Sequence, residues 1–344
     1  MRCAIVGSGL AALAAYATLR HGGVSPEEIA VFGTHDDPTE AWRVRAASIR
    51  QTHMRSESDG HLAAASFPGL ALQELTLRSV VGTLTNRYRP SVELFLSHAA
   101  RVRERSGWDL SFTARHAAQV RAVDGGFTID GDGPFPHVLL ALGHPGLNRV
   151  PGTCHAYEPH EYAPQVAVLG AGMAAATEWR NALAAGSEVV SVRRREPRRR
   201  PLNVPRELFS KRGLASFHRL PPEVRAATLH DLSRPSYPPG REWDVPVRVV
   251  PEPPEGFQVI AATGFRKGFR EDPLLADLVD AHGLETHDRY LVLDPDSTVP
   301  ALTDERRTLS VAGVAGRWAF PAADTIAGAK YAARGYTRRV CRTR

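Results

Sequence analysis

The chain has 344 residues, enough for two domains that each bury a core. Apolar residues make up 43% and aromatics 7%, and three widely spaced cysteines (Cys3, Cys154 and Cys341) exclude a disulfide framework or a cysteine-built zinc site and point to a reducing compartment. The formal charge of +6 is carried almost wholly by arginine in a chain rich in alanine, proline and glycine, a compositional bias that is no argument for a nucleic-acid partner.

In chain order, the pattern predicts a strand at 2–6 that runs into Gly7-Ser8-Gly9, and a helix at about 10–21. This apolar start is not a secretory leader, because Arg2 is its only charge and the paired glycines serve no purpose there. A strand at 28–32 follows, then a polar segment around 49–61, a helix at about 91–105, short strands within 110–129 and a strand at 137–142. A loop at 155–164 leads to a strand at 165–169, a helix at 173–185 and a strand at 188–193. The Pro- and Arg-rich stretch 196–254 has no clear assignment. A strand at 257–262, another at 308–312 and a helix at about 324–340 complete the chain. Strands alternating with helices predict an α/β fold with parallel sheets wound on both faces. No stretch approaches the roughly 20 apolar residues that span a bilayer. The expectation is a cytoplasmic protein with no membrane, nucleic-acid or metal partner.

Two turns repeat. Ile5-Val6-Gly7-Ser8-Gly9-Leu10-Ala11-Ala12 matches Val168-Leu169-Gly170-Ala171-Gly172-Met173-Ala174-Ala175. Two strand ends repeat as well, Leu139-Leu140-Ala141-Leu142-Gly143 and Ile260-Ala261-Ala262-Thr263-Gly264. A dinucleotide pyrophosphate must approach backbone N–H groups at a helix N-terminus. Gly7 and Gly170 permit the tight turn, Gly9 and Gly172 leave room for phosphate, and Ala12 and Ala175 let helix and strand pack closely. The order turn, strand-glycine, turn, strand-glycine predicts one dinucleotide-binding domain inserted in another. Dinucleotide sites usually carry an acid at the end of the second strand to accept from ribose hydroxyls. Gly33 stands there in the first unit, with Asp36 and Asp37 as substitutes. In the second unit Arg193, Arg194 and Arg195 suit a 2′-phosphate, which favours NADPH over NADH. The alternative reading of that arginine run is a solvated charged face. The stretch from 193 to 241 lacks the regular aromatics and motifs of RNA readers.

These residues resemble the flavoproteins with two dinucleotide-binding domains, and most closely the class B flavin monooxygenases, which include the flavin-containing and the N-hydroxylating ornithine and lysine monooxygenases. Ala262-Thr263-Gly264-Phe265 is similar to the Ala-Thr-Gly-Tyr return from the NADPH domain. Val150-Pro151-Gly152 with His155 and Tyr157 resembles a shortened Phe-x-Gly-x-x-x-His linker, and Trp42 sits where such enzymes often carry a tryptophan. The resemblance implies an FAD-binding Rossmann-like domain at 1–154 and 266–344, with an inserted NAD(P)-binding Rossmann-like domain at 155–265. It implies FAD at the first turn and at Trp42, Arg55 and Gly143, and NADPH at the second turn and at Thr263 and Gly264. The polar segment then passes the flavin ring, with Gln51, His53, Arg55 and Ser56 as candidate contacts and His144 as a candidate for the flavin face. The chain departs from the pattern at Val311-Ala312-Gly313-Val314, where an acid usually binds the ribityl chain. Asp324 stands further on, either as a cofactor contact or as the N-cap of the last helix, whose start at Thr325 and Ile326 points a positive dipole end at the flavin.

The activity implied is FAD-dependent, NADPH-consuming insertion of one oxygen atom from O₂ into a small-molecule substrate, through a flavin C4a-hydroperoxide. The absence of Cys-x-x-Cys and Cys-x₄-Cys excludes dithiol reductase chemistry. Two alternatives stay open: an NAD(P)H-linked flavoprotein reductase or dehydrogenase without oxygen insertion, and a dinucleotide-binding regulatory protein without turnover.

Overall fold

The computed structural model describes residues 1–55, 62, 70, 81, 88–194, 196–200, 204–240 and 243–342. Two five-stranded parallel sheets organise the chain. The first contains β1 (Cys3–Val6), β2 (Ile29–Gly33), β3 (Phe112–Ala114), β7 (His137–Leu140) and β17 (Thr308–Val311), in the order β17-β7-β1-β2-β3. Its strands alternate between two cores, as period-2 geometry requires. Ile5, Val31 and Leu139 point to a face covered by α1 (Leu10–His21), α3 (Val92–Ser106) and α8 (Ile326–Arg342). Ala4, Val6, Val138, Leu140, Leu309 and Val311 point to the opposite face. There they meet a three-stranded antiparallel sheet of β4 (Val120–Val123), β5 (Gly126–Ile129) and β6 (Asp132–Phe135), together with α7 (Pro273–His282).

The second sheet contains β8 (Cys154–His155), β9 (Gln165–Leu169), β10 (Glu188–Val192), β13 (Arg248–Val250) and β14 (Gln258–Ala261), in the order β13-β10-β9-β14-β8. Val166, Val168 and Ile260 pack on Ala175, Ala176 and Trp179 of α4 (Met173–Ala184). Alanine on this helix lets it lie close to the sheet, as it does on α1.

Some elements were not visible in the sequence pattern. The loop expected at 155–164 begins inside β8, which pairs with β14. Among the described residues, four helices were not assigned: α2 (Glu40–Ser48), α5 (Lys211–His218), α6 (Pro222–Leu232) and α7. Helices α5 and α6 come from the Pro- and Arg-rich stretch, yet Leu214, Phe217, Ala226 and Leu229 are buried in the core that also holds Phe269 and Trp318. They therefore pack beneath the first sheet, although they lie within the 155–265 segment of the chain. The last helix also starts later than expected. Thr325, not Asp324, caps it: its Oγ1 accepts from Gly328 N at 3.1 Å, while Asp324 is exposed in the preceding turn.

Candidate functional site

The two glycine turns are built alike atom for atom. Gly7 has φ +109°, and a Cβ there would lie 2.3 Å from the Ala141 carbonyl oxygen. Gly170 has φ +141°, and its Cβ would lie 2.6 Å from the Ala262 carbonyl oxygen. Each turn is thus pressed against the strand end that the sequence repeat pairs with it. The backbone bonds repeat too: Ala141 N donates to Val6 O at 2.7 Å and Ala262 N to Leu169 O at 2.8 Å. Gly9 and Gly172 stand at the N-caps of α1 and α4 in extended conformation. A Cβ on Gly9 would meet no atom within 4 Å, and one on Gly172 only Pro235, at 4.0 Å. Each helix N-terminus therefore opens onto free space, with its first N–H groups pointing outward. Ala12 and Ala175 are fully buried where helix meets strand.

The missing acid at the end of β2 has a structural reason. A Cβ on Gly33 would lie 2.3 Å from the Ser8 Cβ, so Ser8 of the first turn occupies that place. Ser8 Oγ then accepts from His35 N at 3.1 Å, which draws the following loop over the turn. Of the two acids in that loop, Asp37 accepts from Thr39 N at 2.8 Å and stands at 3.7 Å from Arg43. Asp36 is exposed.

The arginines after β10 have different surroundings. Arg193 lies over the Trp179 ring, 5.3 Å from its centroid, and pairs with Glu196 at 3.1 Å. Arg194 is exposed, with no ion pair among the described residues, and Arg195 lies outside them. Arg198 and Arg200 pair with Asp231, and Arg199 with Asp244.

Four rings bridge the two strand-glycine ends. His144 stacks on Phe265 (4.0 Å between centroids), Phe265 on Tyr157 (5.1 Å) and Tyr157 on His155 (5.8 Å). Arg45 of α2 lies over Phe265 at 4.9 Å. Burial pushes the His144 pKa down to about 4, so this ring is neutral at physiological pH. His155 binds the Gly264 carbonyl through Nε2 at 3.1 Å, beside the Thr263 and Gly264 of the return motif. Around the rings the two chain crossings pair: Asn148 N donates to Gly264 O at 2.9 Å and Arg266 N to Gly146 O at 3.0 Å.

The polar segment after α2 docks on the second sheet's helix. Arg55 Nη2 donates to Thr177 Oγ1 at 2.9 Å, and Asn181 Nδ2 donates to Ile49 O at 2.9 Å. Gln51 is half-buried and His53 is exposed. Ser56 lies outside the described residues. Trp42 packs edge-on against Phe95, 5.0 Å away, in the core above the first sheet. The three cysteines are free, and each thiol faces a different backbone carbonyl.

No family model matches the chain, and no curated protein does. Solved structures match it end to end. The ornithine N-hydroxylase of Kutzneria sp. 744, with reduced FAD, NADP+ and L-ornithine, aligns with a TM-score of 0.71 at 13% identity, over 98% of each chain. A flavin monooxygenase from Stenotrophomonas maltophilia aligns with a TM-score of 0.60 at 18% identity, over 99% of this chain and 98% of that one. A bacillithiol disulfide reductase from Bacillus cereus aligns with a TM-score of 0.60 at 13% identity, over 100% and 99%. The chain has the Rossmann-like α/β fold of these flavoproteins. That is the fold the motifs implied, and class B monooxygenases are among its neighbours. In this fold the ring stack joins the segments that follow the two strand-glycine ends, and Arg55 joins the segment after α2 to α4. A second feature beside His144 had no sequence signal. Lys267, Arg289 and Arg317 gather in one cleft from positions far apart in the chain.

Proposed function

We propose that the protein is an FAD-dependent, NADPH-consuming monooxygenase that transfers one atom of O₂ to a small-molecule substrate. The observation that carries this reading is the pair of turns with the same geometry, Gly7 on Ala141 and Gly170 on Ala262, each opening a helix N-terminus to free space. Two dinucleotides acting on each other need two such sites in one chain. We assign FAD to the first turn and to the first-sheet domain, residues 1–154 and 266–344. NADPH is assigned to the second turn within 155–265, with α5 and α6 as an excursion of that segment beneath the first sheet.

In this reading the α1 N–H groups at Gly9 hold the FAD pyrophosphate, Asp36 serves the ribose that Gly33 cannot, and Thr325 and Ile326 present the α8 N-terminus to the ring. When bound, the flavin supplies the redox chemistry, accepting two electrons from NADPH and reacting with O₂. The chain positions and seals the site. His144, Phe265 and Tyr157 fill the junction with rings and keep water from it, and the neutral His144 brings no competing charge. Arg55, fixed on Thr177, ties the flavin-side segment to the nucleotide domain.

The test starts with the purified protein's colour. It should be yellow with non-covalent FAD, oxidise NADPH in the presence of O₂ and place labelled oxygen from O₂ in its product. Gly9→Val puts a branched side chain in the phosphate's space and should weaken flavin retention roughly tenfold or more. Full flavin in that variant would end the assignment of the first turn. The second reading, a reductase without oxygen insertion, is favoured by the disulfide reductase among the fold's neighbours. The three separate thiols speak against disulfide chemistry. Efficient NADPH-driven reduction of a quinone, with no labelled oxygen in any product, would decide for that reading.

The surroundings of the arginine run make the NADPH preference specific. Arg194→Ser should raise the KM for NADPH by about tenfold, the value of one charge-assisted bond to a phosphate, and leave that for NADH unchanged. Arg193→Ser should affect stability more than selectivity, since that side chain covers Trp179. Equal effects of Arg194→Ser on both nucleotides would mean that the run is a solvated face.

A further inference from the structure

The return segment carries three cations that neither turn uses. Lys267, Arg289 and Arg317 line a cleft together with Gly143, Ser233 and Asp272. Arg317 is only 8% exposed. Its Nε donates to the Pro321 carbonyl at 3.2 Å and its Nη1 to Ser233 Oγ at 2.8 Å. Lys267, at the exposed rim, donates to the Ser233 carbonyl at 3.1 Å. Arg289 Nη2 donates to His230 Nδ1 at 2.7 Å, while its buried Nε has no hydrogen-bond partner.

Among the described residues, none of the three has a carboxylate at ion-pair distance. Asp272, the acid in the lining, is committed elsewhere: it caps α7 by accepting from Leu275 N at 3.2 Å. The Lys267 pKa is lowered by desolvation and then by Arg317 and Arg289, and Asp324 opposes them less than either arginine acts. One structural role does exist for the cations. Ser233 and His230 belong to the C-terminal end of α6, whose dipole attracts positive charge. That end is equivalent to roughly half a negative charge, against three positive ones. With Asp272 counted as well, the cleft keeps an excess of roughly one to two positive charges, and the buried Arg289 Nε beside it has no hydrogen-bond partner.

We propose that this cleft binds an oxyanion, a carboxylate or phosphate carried by the substrate, and holds it beside His144. The word substrate rests on the monooxygenase reading; the oxyanion site itself does not. Arg317 and Arg289 supply fixed donors, and Lys267 closes the rim as a mobile point charge.

The experiment follows thermal unfolding of the full-length, flavin-loaded protein during titration with inorganic phosphate at constant ionic strength. A saturable rise in melting temperature is expected. Lys267→Met and Arg289→Met should each lose that rise, and without phosphate each should melt at or above the parent temperature, because repulsion is relieved. Variants that melt lower while keeping the phosphate response would show that the cations serve only to grip α6, and the proposal fails. Saturating NADP+ provides the second arm. A phosphate response that persists beside bound NADP+ and FAD supports a third, substrate-side anion. A response abolished by either cofactor assigns the cleft to that cofactor's phosphate and overturns the proposal. The same response in protein that takes up no flavin supports the oxyanion site while removing the redox reading.

Discussion

Gly7→Ala should destabilise the protein severely, lowering its urea midpoint well below the parent's. The new Cβ would lie 2.3 Å from the Ala141 carbonyl oxygen and 2.7 Å from its carbon, and both are backbone atoms. They cannot retreat, because Ala141 N is bonded to Val6 O at 2.7 Å within the central pairing of the first sheet. The turn itself cannot relax either, since φ is +109° at Gly7 and an alanine there costs about 1–2 kcal/mol before any clash. Forcing extra volume into a packed site adds about 1–3 kcal/mol. The sum, roughly 2–5 kcal/mol, is a large share of the 5–15 kcal/mol that ordinarily holds a domain folded. Gly9→Ala is the matched control. It meets no atom within 4 Å, so urea denaturation should give the parent stability and only flavin retention should suffer. Gly170→Ala should repeat the Gly7 result in the second unit, where φ is +141° and the Ala262 oxygen lies 2.6 Å away. A Gly7→Ala protein with the parent urea midpoint would contradict the close approach of turn and strand.

The sequence was most informative where the causes are local. A glycine turn, the strand before it and the helix after it are set by a dozen consecutive residues. The pattern therefore placed α1 at 10–21 and β9 at 165–169, which are the bounds observed. The start of the last helix was misjudged by its cap alone, since Asp324 and Thr325 are both good N-cap residues and only the hydrogen bond to Gly328 distinguishes them. Long-range causes were illegible. Gly33 reads as a defect in a ribose site until Ser8 is seen against it. Helices α5 and α6 were hidden among arginines and prolines, because the apolar residues they bury are few and their partner core is built from residues before position 141 and beyond position 265. The arginine run looked like one electrostatic feature, yet Asp231 and Asp244, more than 30 residues away in the chain, neutralise its second half. The cationic cleft draws on positions 233, 267, 289 and 317, which no spacing rule connects.

Stability should fall as pH rises past neutrality, and Glu178 should be the reason. Glu178 is fully buried on α4 and accepts from His160 Nε2 at 3.0 Å and from the Tyr162 hydroxyl at 2.8 Å. The other His160 nitrogen, Nδ1, lies 2.7 Å from the Glu158 carbonyl oxygen. A carbonyl and an ionised carboxylate can only accept, so with Glu178 ionised both ring nitrogens carry protons and His160 is an imidazolium. Its pKa is raised accordingly, chiefly by the bond to Glu178. A histidine with a raised folded-state pKa contributes its full stability below the unfolded value near 6.5 and loses it as pH climbs through the folded value. His137 and His144 act in a separate window. Burial holds both down to about 4, so they weaken the fold only as pH falls below 6.5. Glu178→Ala should cost about 3–5 kcal/mol, the usual result of leaving a buried charge without its partner. Glu178→Gln keeps an acceptor for Tyr162 but removes the charge, so His160 should return toward its ordinary pKa. Urea denaturation between pH 7 and 9 should then show a falling stability in the parent and a flatter profile in Glu178→Gln. His160→Gln should flatten it as well. If both variants keep the parent slope, another group titrates in that range and the His160–Glu178 pair is neutral.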